Sequence, residues 1–248
     1  MHKFTRLVQN EWLKISKKRM FLVPYILLVL MPLVIGYIIY SLSADSFPGA
    51  NDFTATLMLP IALGKAVTMI AIIGTAGSVA KEHSQGTIKF LLIRARSRTM
   101  ILASKYVAVL LYAISLTFIS VLASYASGVL WFGASGGEAG LTDIMQSIVY
   151  GFVYTLVYVT LTFMIGILTT STGVTIGISM FAIAIDNLVI TKNFYKYFLF
   201  PNLNLSAYQN DSPPLPGMTL SFSIVMLAIY MTVFLIAGFV VFKRRDVA

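Results

Sequence analysis

The sequence predicts an all-α membrane protein in which an amphipathic interfacial helix precedes six transmembrane helices. An unusually apolar composition and six long apolar stretches support this prediction. Hydrophobic residues make up 58% of the 248-residue chain and charged residues only 11%, whereas charged residues make up about 25% of an ordinary soluble domain. So few charges cannot cover a soluble domain of this length, and the mean hydropathy of +0.87 indicates that lipid is the main solvent.

The six apolar stretches have, or approach, the length that a membrane-spanning helix requires. About 20 helical residues, each rising about 1.5 Å, cross a hydrocarbon core of about 30 Å. Continuous apolar runs favour helices over the short alternating segments of a membrane β-barrel. The predicted spans are residues 21–42, 57–80, 106–132, 144–168, 174–191 and 219–242.

The positions of the basic residues predict that both chain termini face the cytoplasm. Nearly all of the 18 lysines and arginines fall in residues 1–20, 81–105 and 243–248. Cytoplasmic segments of membrane proteins are enriched in these residues. The net charge of +9 is therefore attributed to membrane orientation, and no nucleic acid partner is expected.

Two ionisable residues, Lys65 and Asp186, lie well inside the predicted spans. Charges inside a membrane are costly and are functional candidates by default. The predicted topology places both at a similar depth near the outer surface. They either form an ion pair or reach the interface independently, and the sequence leaves both interpretations open.

Residues 1–20 are predicted to form an amphipathic helix that lies in the membrane interface. Apolar side chains recur at helical spacing on one face, and basic side chains occupy the other. The apolar positions are Phe4, Leu7, Val8, Trp12 and Ile15. This helix is either a simple lipid anchor or an element that also contacts a cytoplasmic partner and links it to the first span.

The cytoplasmic connection 81–105 is longer than a turn between two spans requires. It contains apolar positions at Ile88, Leu91, Leu92 and Ala95, flanked by basic residues. Such a segment suits either a surface helix or a helix that docks into a groove on another protein.

Short motifs in these segments resemble those of type-2 ABC transporter permeases. Residues 82–105 contain the pattern Glu82-x₃-Gly86-Thr87-x₃-Leu91-Leu92-x₄-Ser97-Arg98-x₆-Lys105. The N-terminal helix contains Asn10-Glu11-x₂-Lys14, and the chain ends in a similar basic motif after the sixth span. The order of an interfacial helix, six spans and a long outer segment before the last span is also similar to that family.

The resemblance implies a role for each of these segments. Residues 1–20 would be the connecting helix, with Glu11, Trp12 and Lys14 as its motif residues. Residues 192–218 would contain short re-entrant helices on the outer side, although their aromatic cluster also suits an interfacial belt. Segment 81–105 would be the coupling segment that contacts an ATPase, through Glu82, Gly86, Thr87, Ile88, Lys89, Phe90 and Leu91.

The resemblance also implies a multi-pass subunit of an exporter in the plasma membrane of a Gram-positive bacterium. Its partners would be two ABC ATPase subunits that bind ATP and Mg²⁺, a second permease copy or sister permease, membrane lipid and the exported substrate. The expected substrates are amphipathic or antimicrobial peptides, as for exporters of phenol-soluble modulins or for lantibiotic immunity. Export of a polysaccharide or lipid is the alternative.

The sequence gives little support for catalysis by this chain. It has no cysteine and two histidines, so thiolate and histidine-rich metal sites are excluded. It has no phosphate-binding P-loop, and Gly133–Gly137, which matches G-x-S-x-G, follows a membrane span without a nearby histidine. We therefore expect no catalytic residue, metal or cofactor in this chain. An ATP-independent transporter or channel remains open, although no internal repeat is visible.

Overall fold

The computed structural model describes residues 2–18, 21–84, 97–134, 136–186, 188, 190, 192–210 and 212–244. The regular secondary structure of these residues is helical throughout, which confirms the all-α class. Three 3₁₀ helices occur at Ala44–Ser46, Asn193–Tyr197 and Leu205–Asn210. The α-helices are α1 (His2–Ser16), α2 (Leu22–Leu42), α3 (Ala50–Met58), α4 (Leu63–Ser84), α5 (Arg98–Phe132), α6 (Leu141–Thr169), α7 (Thr172–Ile185), α8 (Leu199–Leu203) and α9 (Leu220–Arg244).

Four of the described helices, α2, α5, α6 and α9, are long and apolar enough to cross a membrane. The bent pair formed by α3 and α4 is a fifth candidate span. The fifth predicted span, residues 174–191, corresponds to α7, which has only 14 residues. A helix of that length extends about 21 Å, less than a hydrocarbon core. The described structure therefore contains four or five candidate spans.

The second predicted span, residues 57–80, is not one continuous helix. α3 ends at Met58, α4 begins at Leu63, and the two helices are bent by 45°. Leu59 is extended, with φ −60° and ψ 151°. The cause is Pro60, because a proline ring disfavours the helical conformation of the residue before it. The prediction failed here because the apolar run continues through the break.

The connection predicted over residues 81–105 is helical at both of its ends. α4 continues to Ser84, and α5 already begins at Arg98. Ser97 caps α5, since its Oγ accepts a hydrogen bond from the Met100 N–H at 3.3 Å. Residues 85–96 lie outside the described residues.

The chain divides into two compact units. Unit 1 contains Met1–Lys17, Ala71–Tyr112 and Leu156–Ala248, and unit 2 contains Lys18–Ile70 and Ala113–Thr155. Helices α4, α5 and α6 each contribute one part to each unit.

Unit 1 has an apolar cluster built from four helices. Val79 of α4, Leu102 of α5 and Phe242 of α9 are buried together with two residues of α6. Beside this cluster, the Tyr106 hydroxyl lies 2.8 Å from the Thr160 hydroxyl. Apolar packing and a hydrogen bond thus join α5 to α6.

Unit 2 combines close helix packing with hydrogen bonds between helices. The Tyr25 hydroxyl of α2 lies 2.7 Å from the Ser115 hydroxyl of α5. Further along the same helices, Ser127 Oγ donates a hydrogen bond to the Pro32 carbonyl at 2.7 Å. Such polar contacts hold helices together where lipid weakens the hydrophobic driving force.

Residues 192–218, where short re-entrant helices were expected, contain two 3₁₀ helices and the five-residue helix α8. Tyr195, Leu215 and Met218 form a small buried cluster within this segment. The segment is attached to α9, because the Tyr208 hydroxyl lies 2.7 Å from the Ser223 hydroxyl.

Candidate functional site

The N-terminal helix α1 buries an acidic side chain on its apolar face. Phe4, Val8, Glu11 and Ile15 follow one another at intervals of three or four residues, which places them on the same side of a helix. Glu11 is 7% exposed and Ile15 is 8% exposed, whereas their neighbours Asn10, Leu13 and Lys14 are exposed. The face predicted to enter lipid is therefore partly covered by protein.

Glu11 forms ion pairs with two lysines. Its Oε2 lies 2.8 Å from Lys105 Nζ, and its Oε1 lies 2.7 Å from Lys14 Nζ. The side chain of Lys105 is 6% exposed and that of Lys14 is 46% exposed. Glu11 thus has one buried partner on α5 and one exposed partner on its own helix.

The two ion pairs differ in their energetic consequences. Desolvation of a buried charge costs several kcal/mol, so Glu11 and Lys105 are stable in this position only as a pair. The exposed pair with Lys14 is separated by three residues on one helix and contributes about 0.5 kcal/mol or less. The Glu11–Lys105 pair is therefore the stronger of the two ion pairs, and it fixes α1 to α5.

One face of α5 anchors both ends of the described chain. Arg98, Leu102 and Lys105 follow the i, i+4, i+7 spacing of one helix face. Lys105 holds α1, while Leu102 belongs to the apolar cluster that contains Phe242 of α9. The Arg98 guanidinium also donates a hydrogen bond of 3.4 Å to the Lys243 carbonyl near the end of α9.

The residues predicted to contact an ATPase are located only in part. Gly86, Thr87, Ile88, Lys89, Phe90 and Leu91 lie outside the described residues. Glu82 lies in the last turn of α4, and nothing is described of its side chain. The coupling role of this segment therefore remains a prediction.

Of the connecting-helix residues, the structure brings Glu11 and Lys14 together, while Trp12 is half-buried beside them. Glu11 and Lys105 belong to separate sequence motifs, and neither motif predicts that the two residues pair. The sequence did contain one signal, because Glu11 interrupts the apolar face of α1. An acid at such a position requires a buried partner.

The two intramembrane charges belong to different units. Lys65 lies near the start of α4 in unit 2, and Asp186 directly follows α7 in unit 1; both are half-buried. Their pairing remains a prediction. Within unit 1, the Tyr158 hydroxyl donates to the Ala182 carbonyl at 3.2 Å and to Asp186 Oδ2 at 3.3 Å. Sequence analysis missed Tyr158, since nothing distinguishes its position from that of other tyrosines.

Asp186 also influences a tyrosine outside the predicted spans. Tyr195 is buried and donates a hydrogen bond to the Leu188 carbonyl at 2.8 Å. Burial raises the pKa of the Tyr195 hydroxyl above its ordinary value, and the Asp186 carboxylate raises it further. The hydroxyl therefore keeps its proton at neutral pH. Among the described residues, no group of three or more His, Cys, Asp or Glu could hold a metal ion.

Comparison with protein families identifies the group to which the chain belongs. The family model described as "Protein of unknown function (DUF2705)" matches residues 19–248. The chain is a DUF2705 protein. The match begins after α1, so Lys105 lies inside the matched region and Glu11 lies outside it.

Two Bacillus subtilis (strain 168) proteins are similar to this DUF2705 protein. "Uncharacterized protein YhcI" is 34% identical over 202 residues, which cover 73% of the chain and 64% of YhcI. The chain thus spans less than two thirds of that relative. "Uncharacterized membrane protein YdbK" is 27% identical over 251 residues, which cover 95% of the chain and 99% of YdbK.

These relatives and the candidate spans agree on where the DUF2705 protein resides. It is a multi-pass membrane protein, and its relatives come from a Gram-positive bacterium. The predicted localisation is therefore confirmed.

Proposed function

We propose that this protein is the membrane subunit of an ATP-driven exporter of the ABC type. The observation that carries the proposal is the buried Glu11–Lys105 ion pair, which joins the N-terminal helix to α5. Lys105 lies a short distance after residues 85–96, the core of the predicted coupling segment. A partner that moves this segment would move α5 and α1 together, because separating two buried charges costs several kcal/mol.

The energy for transport would come from a separate chain. The sequence has no P-loop, so ATP and Mg²⁺ would be bound by two ATPase subunits docked on segment 81–105. A second copy of this chain, or a sister permease, would complete the transport pathway. ATP-driven closure of the ATPase subunits would push the coupling segments and open the pathway to the opposite side.

Amphipathic or antimicrobial peptides are the substrates that we propose, and a polysaccharide or lipid is the alternative. Support for amphipathic cargo comes from the many apolar residues available to a pathway, because apolar side chains line most sites that bind amphipathic molecules.

A transporter without an ATPase is the second candidate. The break between α3 and α4 favours it, because discontinuous helices are typical of secondary transporters. The two candidate functions differ in one requirement, because only the ABC-type exporter needs a partner that hydrolyses ATP.

The experiment replaces the predicted apolar anchors of the coupling segment in the Phe90→Ala/Leu91→Ala double variant. Buried apolar side chains carry much of the energy of a protein interface. We expect the variant to insert normally but to lose both export and co-purification with a candidate ABC ATPase of the same organism. Phe118→Ala/Leu122→Ala, which removes exposed side chains of α5, is the matched control and should keep both. Unchanged co-purification and export in the first variant would refute the assignment of the coupling segment.

A further inference from the structure

Helix α3 is a short arm whose two ends are attached to unit 2 in different ways. Its nine residues lie between an extended, glycine-containing connection and the break before α4. The same helix buries Ala50, Phe53, Thr54, Leu57 and Met58 along one face. Its start and its end therefore decide whether it can move relative to α5 and α6.

The first end of α3 is held by backbone groups of the connection between α5 and α6. The Ala50 N–H donates a hydrogen bond to the Gly133 carbonyl at 3.0 Å, and two side chains of α3 contact the backbone of Ala139. Asn51 Nδ2 donates a hydrogen bond to the Ala139 carbonyl at 3.0 Å. The Ala139 N–H donates to Asp52 Oδ1 at 3.2 Å. Two adjacent side chains thus satisfy both backbone groups of Ala139, and we call this contact the latch.

Glycines allow the latch to close. A Cβ atom at Gly137, which has a φ of +95°, would collide with Asp52 Oδ2. A Cβ atom at Gly49 would likewise collide with the Gly136 carbonyl. A residue with a side chain would therefore hold the two backbones apart, and positive φ is strained for such residues.

Polar groups at the latch are not fully satisfied. Asp52 Oδ2 is buried and has no hydrogen-bond partner. A buried polar atom without a partner costs about 1–3 kcal/mol. The closed latch thus gains two hydrogen bonds and bears one such cost, so the contact of Asn51 and Asp52 with Ala139 adds little net stability to the closed position.

The second end of α3 has the features of a hinge. Pro60 interrupts the helical hydrogen bonds, and Leu59 is extended. A Cβ atom at Gly64 would lie 2.7 Å from the Met58 carbonyl and 2.6 Å from the Leu59 carbonyl. A small cavity borders Met58, Gly64, Gly151 and Thr155. A Cβ atom at Gly151 would collide with the Met58 carbonyl, so the end of α3 lies against residues that present no side chain to it.

We propose that α3 is a gate arm of the transport pathway, hinged at Leu59–Ala62 and closed by the latch of Asn51 and Asp52 on Ala139. The gating role rests on the proposed transport function, whereas the hinge and the latch do not. The arm is closed in this structure and swings about the break when the latch opens. Hinge motions of this kind take place at a few residues that absorb the change in backbone angles.

The first test uses the absence of cysteine from the chain. The full-length Asn51→Cys/Ala139→Cys variant, reconstituted with its ATPase in lipid vesicles, is cross-linked with a short thiol reagent. We expect loss of export that a reductant reverses. Tyr25→Cys/Ser115→Cys, which joins α2 to α5 at another contact of the same unit, is the control and should keep exporting. Unchanged export with the latch cross-linked would overturn the gating role.

The second test requires no transport and examines the latch itself. Asn51→Ala removes the donor to the Ala139 carbonyl and leaves Asp52 in place, so amide hydrogen exchange in the first half of α3 should rise about fivefold, as for the loss of one hydrogen bond. Asp143→Ala is the control, because Asp143 Oδ2 accepts a hydrogen bond from the Gly140 N–H at 2.8 Å within the connection before α6. Unchanged exchange in Asn51→Ala would overturn the latch, and absence of export from every variant would instead count against the proposed transport function.

Discussion

Replacement of Glu11 by glutamine tests whether α1 is fixed to α5 by a buried ion pair. Glu11 Oε2 and Lys105 Nζ are 2.8 Å apart, so their attraction is about 6 kcal/mol at an effective dielectric constant of about 20. Desolvation of both charges offsets much of that attraction. Glutamine retains one hydrogen-bond acceptor but deprives the buried ammonium of its carboxylate. We expect a loss of about 3 kcal/mol in the free energy of unfolding.

The three members of the cluster should respond unequally. Lys105→Met leaves Glu11 paired with Lys14, so the expected loss is smaller, about 1–2 kcal/mol. Lys14→Gln removes a pair whose lysine is 46% exposed and should cost less than about 1 kcal/mol. The Glu11→Gln/Lys105→Met double variant leaves no buried lysine charge and should recover much of the loss.

The assay is thermal unfolding in detergent, followed by tryptophan fluorescence. The chain has two tryptophans, and Trp131→Phe leaves Trp12, adjacent to Glu11, as the reporter. A loss of about 3 kcal/mol corresponds to a fall of roughly 6–12 °C in Tm for a chain of this size. Strict additivity of the Glu11 and Lys105 substitutions, or equal effects of Glu11→Gln and Lys14→Gln, would refute the argument.

Two further predictions concern unit 1. The pKa of the Tyr195 hydroxyl is raised by burial and by Asp186. The contribution of this hydroxyl to stability is therefore complete below a pH of about 10 and is lost as the pH rises through the higher pKa of the folded state. In alkaline denaturation, Tyr195→Phe should lose stability less steeply with rising pH than the unmodified chain. In α4, Gly74→Ala would place a Cβ atom against the Tyr112 ring, whereas Gly77→Ala meets open space. Melting curves should show a loss of about 1–3 kcal/mol for the first and a gain of about 0.5–1 kcal/mol for the second, and the opposite order would contradict the packing.

The helical class and most of the helix positions could be predicted because they depend on apolar composition and on the length of apolar runs, which are properties of contiguous sequence. The boundaries of the helices were less predictable. Pro60 is a recognised break signal, yet the uninterrupted apolar run around it favoured a single span. α7 ends at Ile185, directly before Asp186 and Asn187, although apolar residues resume at Leu188, so run length overestimated the helix.

The candidate site was predictable only in its parts. Glu11 on an apolar helix face indicates a buried partner, but Lys105 lies 94 residues away in the chain. Several lysines and arginines lie in the predicted cytoplasmic segments, and tertiary packing determines which of them pairs with Glu11. The contact of Asn51 and Asp52 with Ala139 was equally hidden, because it depends on backbone groups that carry no sequence signal.

We propose that this chain works with separate ATPase subunits, and the stoichiometry of the purified assembly tests this proposal most directly. The full chain is co-expressed with a candidate ABC ATPase of the same organism, purified through a tag on this chain, and analysed by native mass spectrometry and ATP hydrolysis. We predict two membrane chains and two ATPase chains, with hydrolysis by the complex and none by the membrane chain alone. A transport-competent membrane chain that carries no ATPase would contradict the account.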